Sequence, residues 1–356
     1  MIYRLSDICD YVKGKVDISK LDLCTYISTE SMLPNKAGII ESSSLPNIKQ
    51  TQIYCAGDVL VSNIRPYFKK IWYATCDGGC SNDVLVFRAK NGVSKRFLYY
   101  VLADDKFFSY SMLNSKGTKM PRGDKRAIME YKVPKFSYDE QVKIANILGD
   151  LDDKVAVNNE INRNLSEQCD AIYRDQFITK SDSSWTMGYL SDLITVKYGK
   201  DHKKLEDGDI PCYGSGGVMR YVERPIYDHE SVLIPRKGTL NNVMYVNVPF
   251  WSVDTMFYTV MKISNVAKFV YHYVKGKNLA SMNAGSAVPS MTVDILNAME
   301  LQIPSSTALA EFETIVQPLY KAMKDNEIEN KKLAELRDTL LPKLMSGELD
   351  VSDLDI

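Results

Sequence analysis

Residues 138–177 read YDEQVKIANILGDLDDKVAVNNEINRNLSEQCDAIYRDQF, with no proline and no glycine after Gly149. Leu148, Leu151, Val155, Leu165, Cys169 and Ile172 fall on alternating three- and four-residue steps, the apolar seam of a heptad helix. Asn158 and Asn162 stand in the middle of that seam, where apolar residues are expected. A helix of about 28 residues after Gly149 is roughly 40 Å long at its usual rise, and it cannot bury such a seam alone. The chain supplies the partner. A shift of 168 positions carries Leu148, Leu151, Val155, Asn158, Asn162, Leu165 and Ile172 onto Val316, Leu319, Met323, Asn326, Asn330, Leu333 and Leu340. Both asparagines recur at the same register, and NRNLSEQCD (162–170) matches NKKLAELRD (330–338). Two copies of one long helix therefore organise the chain.

The segments before each helix repeat as well. LSDICDYVKGK (5–15) is answered by LSDLITVKYGK (190–200), and GDVLVSNIRP (57–66) by ESVLIPRKG (230–238). KRFLYYVL (95–102) is answered by AKFVYHYV (267–274), and YKVP (131–134) by LQIP (301–304). A Gly–x–x–x–Pro frame recurs at Gly117/Pro121 and Gly285/Pro289. The pattern predicts strands at Val59–Val61, Ile71–Tyr73, Asn82–Arg88 and Tyr131–Pro134. It also predicts one helix over 95–113, and a break in each long helix at Gly149/Asp150 and at Pro318. Gly347 reads as a helix C-cap.

The expected fold is α+β. Two globular modules, 1–137 and 185–304, alternate with two helical spacers, 138–180 and 305–347, and an acidic tail, 348–356, follows. The internal repeat implies a pseudo-twofold arrangement with the two helices packed antiparallel. In an antiparallel seam a positions face d positions, which sets Asn158 near Asn330 and Asn162 near Asn326. The helices then act as a ruler between two similar readers, near the roughly 34–36 Å repeat of duplex DNA.

Charge follows the same division. Net charge is +8 over 1–138, −5 over 139–184, +1 over 185–304 and −5 over 305–356. Basic to neutral modules suit a polyanion, and acidic helices do not. No signal peptide and no apolar run of about 18 residues is present, so a cytoplasmic location and no membrane contact are expected. With 7 cysteines, 3 histidines and no CxxC, free thiols are expected and a metal site is not.

The candidate DNA-binding residues lie on loops. Arg65, Lys69 and Lys70 follow the Val59 strand beside Tyr67 and Phe68. Lys116, Lys119, Arg122, Lys125 and Arg126 form the densest basic stretch, with two glycines that admit close backbone approach. Lysines suit phosphates and arginines suit guanine edges. Lys200, Lys203, Lys204, Arg236, Lys237, Asn241 and Asn242 are the counterparts in the second module, while Ser286 and Ser290 replace the basic loop with uncharged residues. No catalytic residue is assigned. NIRPY (63–67) is near the NPPY motif of amino-methyltransferases, but arginine stands in place of the first proline and no FxGxG loop accompanies it. GSGG (214–217) lacks the flanking pattern of a phosphate loop.

YDEQVKIANILGDLDDKVAVNNEINRNLSEQ, NKKLAELRDTLLPKLMSGEL and GDVLVSNIRP together resemble the specificity subunits of type I restriction–modification systems, over essentially the whole chain. The resemblance implies a non-catalytic subunit that binds double-stranded DNA at a bipartite site, one half read by each recognition domain. It implies two methyltransferase subunits recruited through the helices, with restriction/translocase subunits joining them. It implies no cofactor of its own, with S-adenosylmethionine, ATP and Mg²⁺ held in the partners. The alternatives are a stand-alone DNA methyltransferase or nuclease with a coiled-coil spacer, and a coiled-coil scaffold that does not touch DNA.

Overall fold

In a computed structural model, residues 2–282 and 290–352 are described. The chain divides into two compact units, 1–158 with 327–356, and 159–326. Each unit contains one mixed α+β module and one part of each long helix.

The first unit begins with a device that the second repeats. Leu5–Ile8 forms a single helical turn in which the Asp7 carboxylate accepts the Arg4 N–H at 2.7 Å. The Leu5 N–H donates to the Tyr131 carbonyl at 2.8 Å. In the second unit Leu190–Leu193 forms the same turn, with Asp192 accepting the Tyr189 N–H at 2.7 Å and the Leu190 N–H donating to Met299 at 2.8 Å. The shared Leu-Ser-Asp thus has a physical basis. The aspartate satisfies an orphan N–H at the helix start, and the leucine is fully buried.

The central sheet of the first unit is antiparallel, in the order Cys9–Tyr11, Val84–Ala89, Val59–Ser62, Ile71–Tyr73. The corresponding sheet of the second unit runs Ile194–Tyr198, Met256–Met261, Ser231–Pro235, Met244–Val246. Ile2–Arg4 pairs with Lys132–Pro134, as Thr186–Tyr189 pairs with Glu300–Ile303. Val59–Ser62 and Ser231–Pro235 are buried on both faces, which explains their unbroken apolar runs. One face of the first sheet packs on Phe97, Leu98, Val101, Phe107 and Phe108 from the following helices.

Both long helices enter these cores. Ile144, Ala145 and Leu148 join Leu341, Leu344 and Met345 in the first unit's core. Cys169, Tyr173 and Phe177 join Leu309, Phe312 and Val316 in the second. Within each unit the helices run antiparallel. Asp152 pairs with Arg337 and Asn158 with Asn330 in the first, and Asn162 with Asn326 in the second, where the Tyr173 and Phe312 rings also meet.

Three expectations from periodicity need correction. The 95–113 segment is two helices, Lys95–Ala103 and Asp105–Leu113. Asp104 separates them with ψ 135°, and its carboxylate accepts the Lys106 N–H at 2.9 Å, so a capping side chain outcompetes helix continuation. Neither long helix breaks. The first runs Tyr138–Arg174, followed by a π-turn at Asp175–Thr179, and the second runs Ser306–Ser346. The helix continues through Gly149, whose missing Cβ leaves room for Arg96, and the Arg96 guanidinium donates to the Gly149 carbonyl at 3.0 Å. Pro318 is carried through because neighbouring Phe312 and Val316 are anchored in the core while its own face is exposed. At the end of the second helix, Gly347 (φ 75°) donates to Leu344 and Glu348 donates to Lys343, a Schellman closure. The tail beyond it places Val351 in the first unit's core.

Candidate nucleic-acid interface

In the first unit, four of the five described non-glycine residues with positive φ converge on one pair of loops. They are Asn35, Lys36, Arg65 and Lys69, at φ 55°, 62°, 51° and 50°. The Asn35 N–H donates to the Phe68 carbonyl and the Lys36 N–H to the Lys69 carbonyl, so each loop holds the other. Left-handed backbone at such residues is strained and persists where the surroundings fix it, as at binding sites. The Asp105 carboxylate adds ion pairs to Lys69 at 2.7 Å and Lys36 at 3.1 Å. Burial acts to raise the Asp105 pKa, but the two ammonium groups hold it below the usual carboxylate range. The Lys70 ammonium donates to the Thr29 carbonyl at 2.7 Å. Between Arg65 and Lys69, the short helix Pro66–Phe68 presents Tyr67 and Phe68 outward.

The basic stretch is a hairpin with an appended helix. Ser115–Lys116 pairs with Arg122–Gly123, and Lys119 lies exposed at the tip. Ile64 bridges Arg122, and the Arg65 N–H donates to the Pro121 carbonyl at 2.8 Å. The structure therefore brings Arg65 and Arg122 to one place, although 57 positions separate them in sequence. Gly123 is closely packed there: a Cβ would lie 2.7 Å from Ser111 Oγ and 3.0 Å from Asn63 Oδ1, so those side chains would have to shift. Lys116 pairs with Asp124 at 2.6 Å. That bond, with the Ala127 and Arg126 N–H groups, lowers the Asp124 pKa to about 2. Asp124 thereby caps the Lys125–Met129 helix, whose first residues, Lys125 and Arg126, are exposed. Arg122 pairs with Asp83 through Nε at 3.2 Å.

The second unit keeps this frame with other residues. Lys237 bridges Ser290, as Ile64 bridges Arg122, and the Met291 N–H donates to the Arg236 carbonyl. The Arg236 guanidinium lies 5.3 Å from the centre of the Tyr198 ring. Asn242 donates to the Ser215 carbonyl at 2.8 Å, and Asn241 accepts from the Ala280 N–H at 3.0 Å. Lys200 is exposed, and its N–H donates to the Ser252 carbonyl. Lys203 and Lys204 are exposed on a separate turn, where the Lys203 N–H donates to Asp201 Oδ1 at 3.1 Å. The expected loop at Gly285, Ser286 and Pro289 lies outside the described residues.

Sequence reading missed Lys36, Asp83, Asp105 and Tyr198. PNKAG (34–38) carried a turn signal for the first, but nothing local marks an aspartate as the partner of a distant basic loop.

The helix seam is polar at its centre. Asn158 is fully buried, and its Nδ2 donates to Asn330 Oδ1 at 2.9 Å and to Glu329 Oε2 at 2.7 Å. Asn326 Nδ2 donates to Asn162 Oδ1 at 2.8 Å, and Asn162 Nδ2 donates to the Met323 carbonyl at 3.0 Å. Polar latches tie each module to its helices. In the first unit Arg96 is bidentate on Asp153, and Asp152 accepts from both the Tyr100 hydroxyl and Arg337. In the second, fully buried Lys268 meets Glu313 at 2.5 Å, and His272 bridges Asp170 at 2.7 Å and the Tyr320 hydroxyl at 2.9 Å.

No group of three or more metal-ligating side chains that could hold an ion, and no helix long and apolar enough to cross a membrane, occurs among the described residues. The family model for the type I restriction modification DNA specificity domain matches residues 1–167 and again 182–338. The specificity subunit of type I restriction enzyme MjaIX from Methanocaldococcus jannaschii is 24% identical over 308 residues, 74% of this chain and 71% of that one. The HindI specificity subunit of Haemophilus influenzae is 20% identical over 459 aligned positions, covering 98% of this chain and 99% of that one. The crystal structure of a type I restriction–modification S subunit from M. genitalium superposes with a TM-score of 0.57 at 18% identity, over 97% of this chain and 96% of that one. At that identity the superposition speaks for the fold.

Proposed function

The chain belongs to the type I restriction–modification DNA specificity family, and from that premise we propose how it works as the DNA-specificity subunit of its complex. Each module reads one half of a bipartite duplex site. The helices recruit two methyltransferase subunits, and restriction/translocase subunits complete the assembly. Catalysis belongs to those partners, as do S-adenosylmethionine, ATP and Mg²⁺.

The observation that carries this reading is the common frame with different contents. In each unit the loop after the central strand bridges the segment before the last strand, at Ile64–Arg122 and at Lys237–Ser290. One frame displays two arginines and a cluster of lysines, and the other displays Arg236, Lys237, Asn241 and Asn242. Phosphate contacts position a protein on DNA, and side chains reaching base edges specify sequence. Two frames differing at such positions suit two unlike half-sites.

Mapping methylated adenines in DNA exposed to the assembled complex tests the reading. The expected outcome is a single bipartite motif. Methylation by this chain alone with S-adenosylmethionine would favour the stand-alone enzyme instead. Failure of the complex to bind duplex DNA would favour the scaffold.

A further inference from the structure

We infer that Arg122 is a specificity-determining residue, reading a guanine in the half-site of the first module, and that Asp83 positions it. The inference rests on the proposed reading of the modules and adds the base and the residue.

Arg122 is held on both sides. It pairs with Lys116 across the hairpin and bridges Ile64 on the other flank. The next residue, Gly123, is packed so closely that a Cβ would displace the Ser111, Ile128 and Asn63 side chains, and its N–H donates to the Asn63 carbonyl. The Asp83 carbonyl in turn accepts the Asn63 N–H at 2.8 Å. Backbone, carboxylate and guanidinium therefore share one rigid junction. Asp83 Oδ1 accepts from Arg122 Nε, which fixes the plane of the fork. Among the described residues no hydrogen bond to either Nη group of Arg122 is found, and the side chain is 49% exposed. The terminal edge of the fork, with two parallel N–H donors, is the part that matches guanine O6 and N7.

Charge distinguishes this role from a phosphate grip. An arginine paired with an aspartate adds little net charge, so it releases few counterions. Lys116 on the opposite strand is likewise neutralised by Asp124. Lys119 at the hairpin tip is exposed and has no ion pair among the described residues, and it is the residue suited to phosphate. The second module has Ser290 at the position equivalent to Arg122, bridged by Lys237, and a serine cannot offer a bidentate fork. The guanine read by Arg122 is therefore assigned to the first module's half-site.

The test is selection from a pool of randomised duplexes by the full chain assembled with its partner subunits. Wild type is expected to enrich a bipartite motif with a guanine in one half. Arg122→Ala and Arg122→Lys should lose preference for that guanine by about ten- to hundredfold, with the other positions retained. Asp83→Asn should relax the same position while leaving binding in place. The salt slope should be unchanged in the double variant Arg122→Ala/Asp83→Asn, which removes both charges of the pair, and shallower in Lys119→Ala. Retention of every base preference with a uniform loss of affinity in Arg122→Ala would overturn the assignment. A wild-type complex that enriches no motif would instead overturn the specificity reading beneath it, before any variant is compared.

Discussion

Replacing the Asn158–Asn330 pair by leucines should stabilise the helix seam while loosening its register. Asn158 is fully buried and donates to Asn330 and Glu329. Its own Oδ1 is buried without a partner among the described residues, which leaves a desolvation penalty of about 1–3 kcal/mol in the native protein. The double variant Asn158→Leu/Asn330→Leu removes that penalty. It loses the neutral Asn158–Asn330 hydrogen bond, a net of about 1 kcal/mol. The lost bond to Glu329 matters less, because that carboxylate is 47% exposed and regains water. Burying a leucine contributes about 1.5–3 kcal/mol relative to leaving it exposed, and Asn158 sits at a fully buried site. The sum favours the variant by about 2 kcal/mol. Asn158→Leu alone should gain less, since it strips Asn330 of this bond. Urea unfolding, read through amide exchange of residues 138–158, measures the change as a midpoint shift at constant slope. Spin-label distances across the helix pair measure register, and a broader distribution is expected in the double variant. A double variant less stable than the native protein by 1 kcal/mol or more would refute the reasoning. It would mean that the polar pair is a net stabiliser rather than a register device.

Three further outcomes are expected. Gly123→Ala should detach the hairpin, since its Cβ would meet Ser111, Ile128 and Asn63, and DNA affinity should fall at least tenfold in a fluorescence titration while the helices keep their exchange protection. Phe312→Ala, at a fully buried site in the second unit, should cost about 3–5 kcal/mol by denaturant unfolding, and less than about 1 kcal/mol would contradict the packing described. Burial holds the His272 pKa below its ordinary value, against opposition from Asp170, while Lys275 lowers it further. The folded state therefore resists a proton that the unfolded chain accepts near about pH 6.5, so this contribution is present above that pH and lost as pH falls. The melting temperature of the second unit should drop between about pH 7 and pH 5, and the drop should shrink in His272→Gln.

The repeat was legible because it is written in local currency. Heptad steps, the Leu-Ser-Asp turn and the apolar strands each depend on residues a few positions apart. The 168-residue shift carried that information across the chain and set the seam asparagines opposite one another for an antiparallel pair. Two kinds of local signal misled. Gly149 and Pro318 read as helix breakers, but the helices run through both, with Ile144, Ala145 and Leu148 anchored in the core beside one and Phe312 and Val316 beside the other. Asp104 read as helical, but its side chain caps the next turn.

The candidate interface was legible only in part. Basic loops with glycines are visible in sequence, and so Lys119, Arg122 and Arg65 could be named from it. The sequence alone determined a two-fold repeated α+β chain with paired heptad helices and basic loops. Only the tertiary structure decided which charges remain available. Asp105 neutralises Lys69, Asp124 neutralises Lys116, and Asp83 pairs with Arg122 through Nε. The physical reason is separation along the chain. Asp105 and Asp83 lie 36 and 39 positions from their partners, so their pairing is set by how strands and loops pack rather than by any nearby pattern.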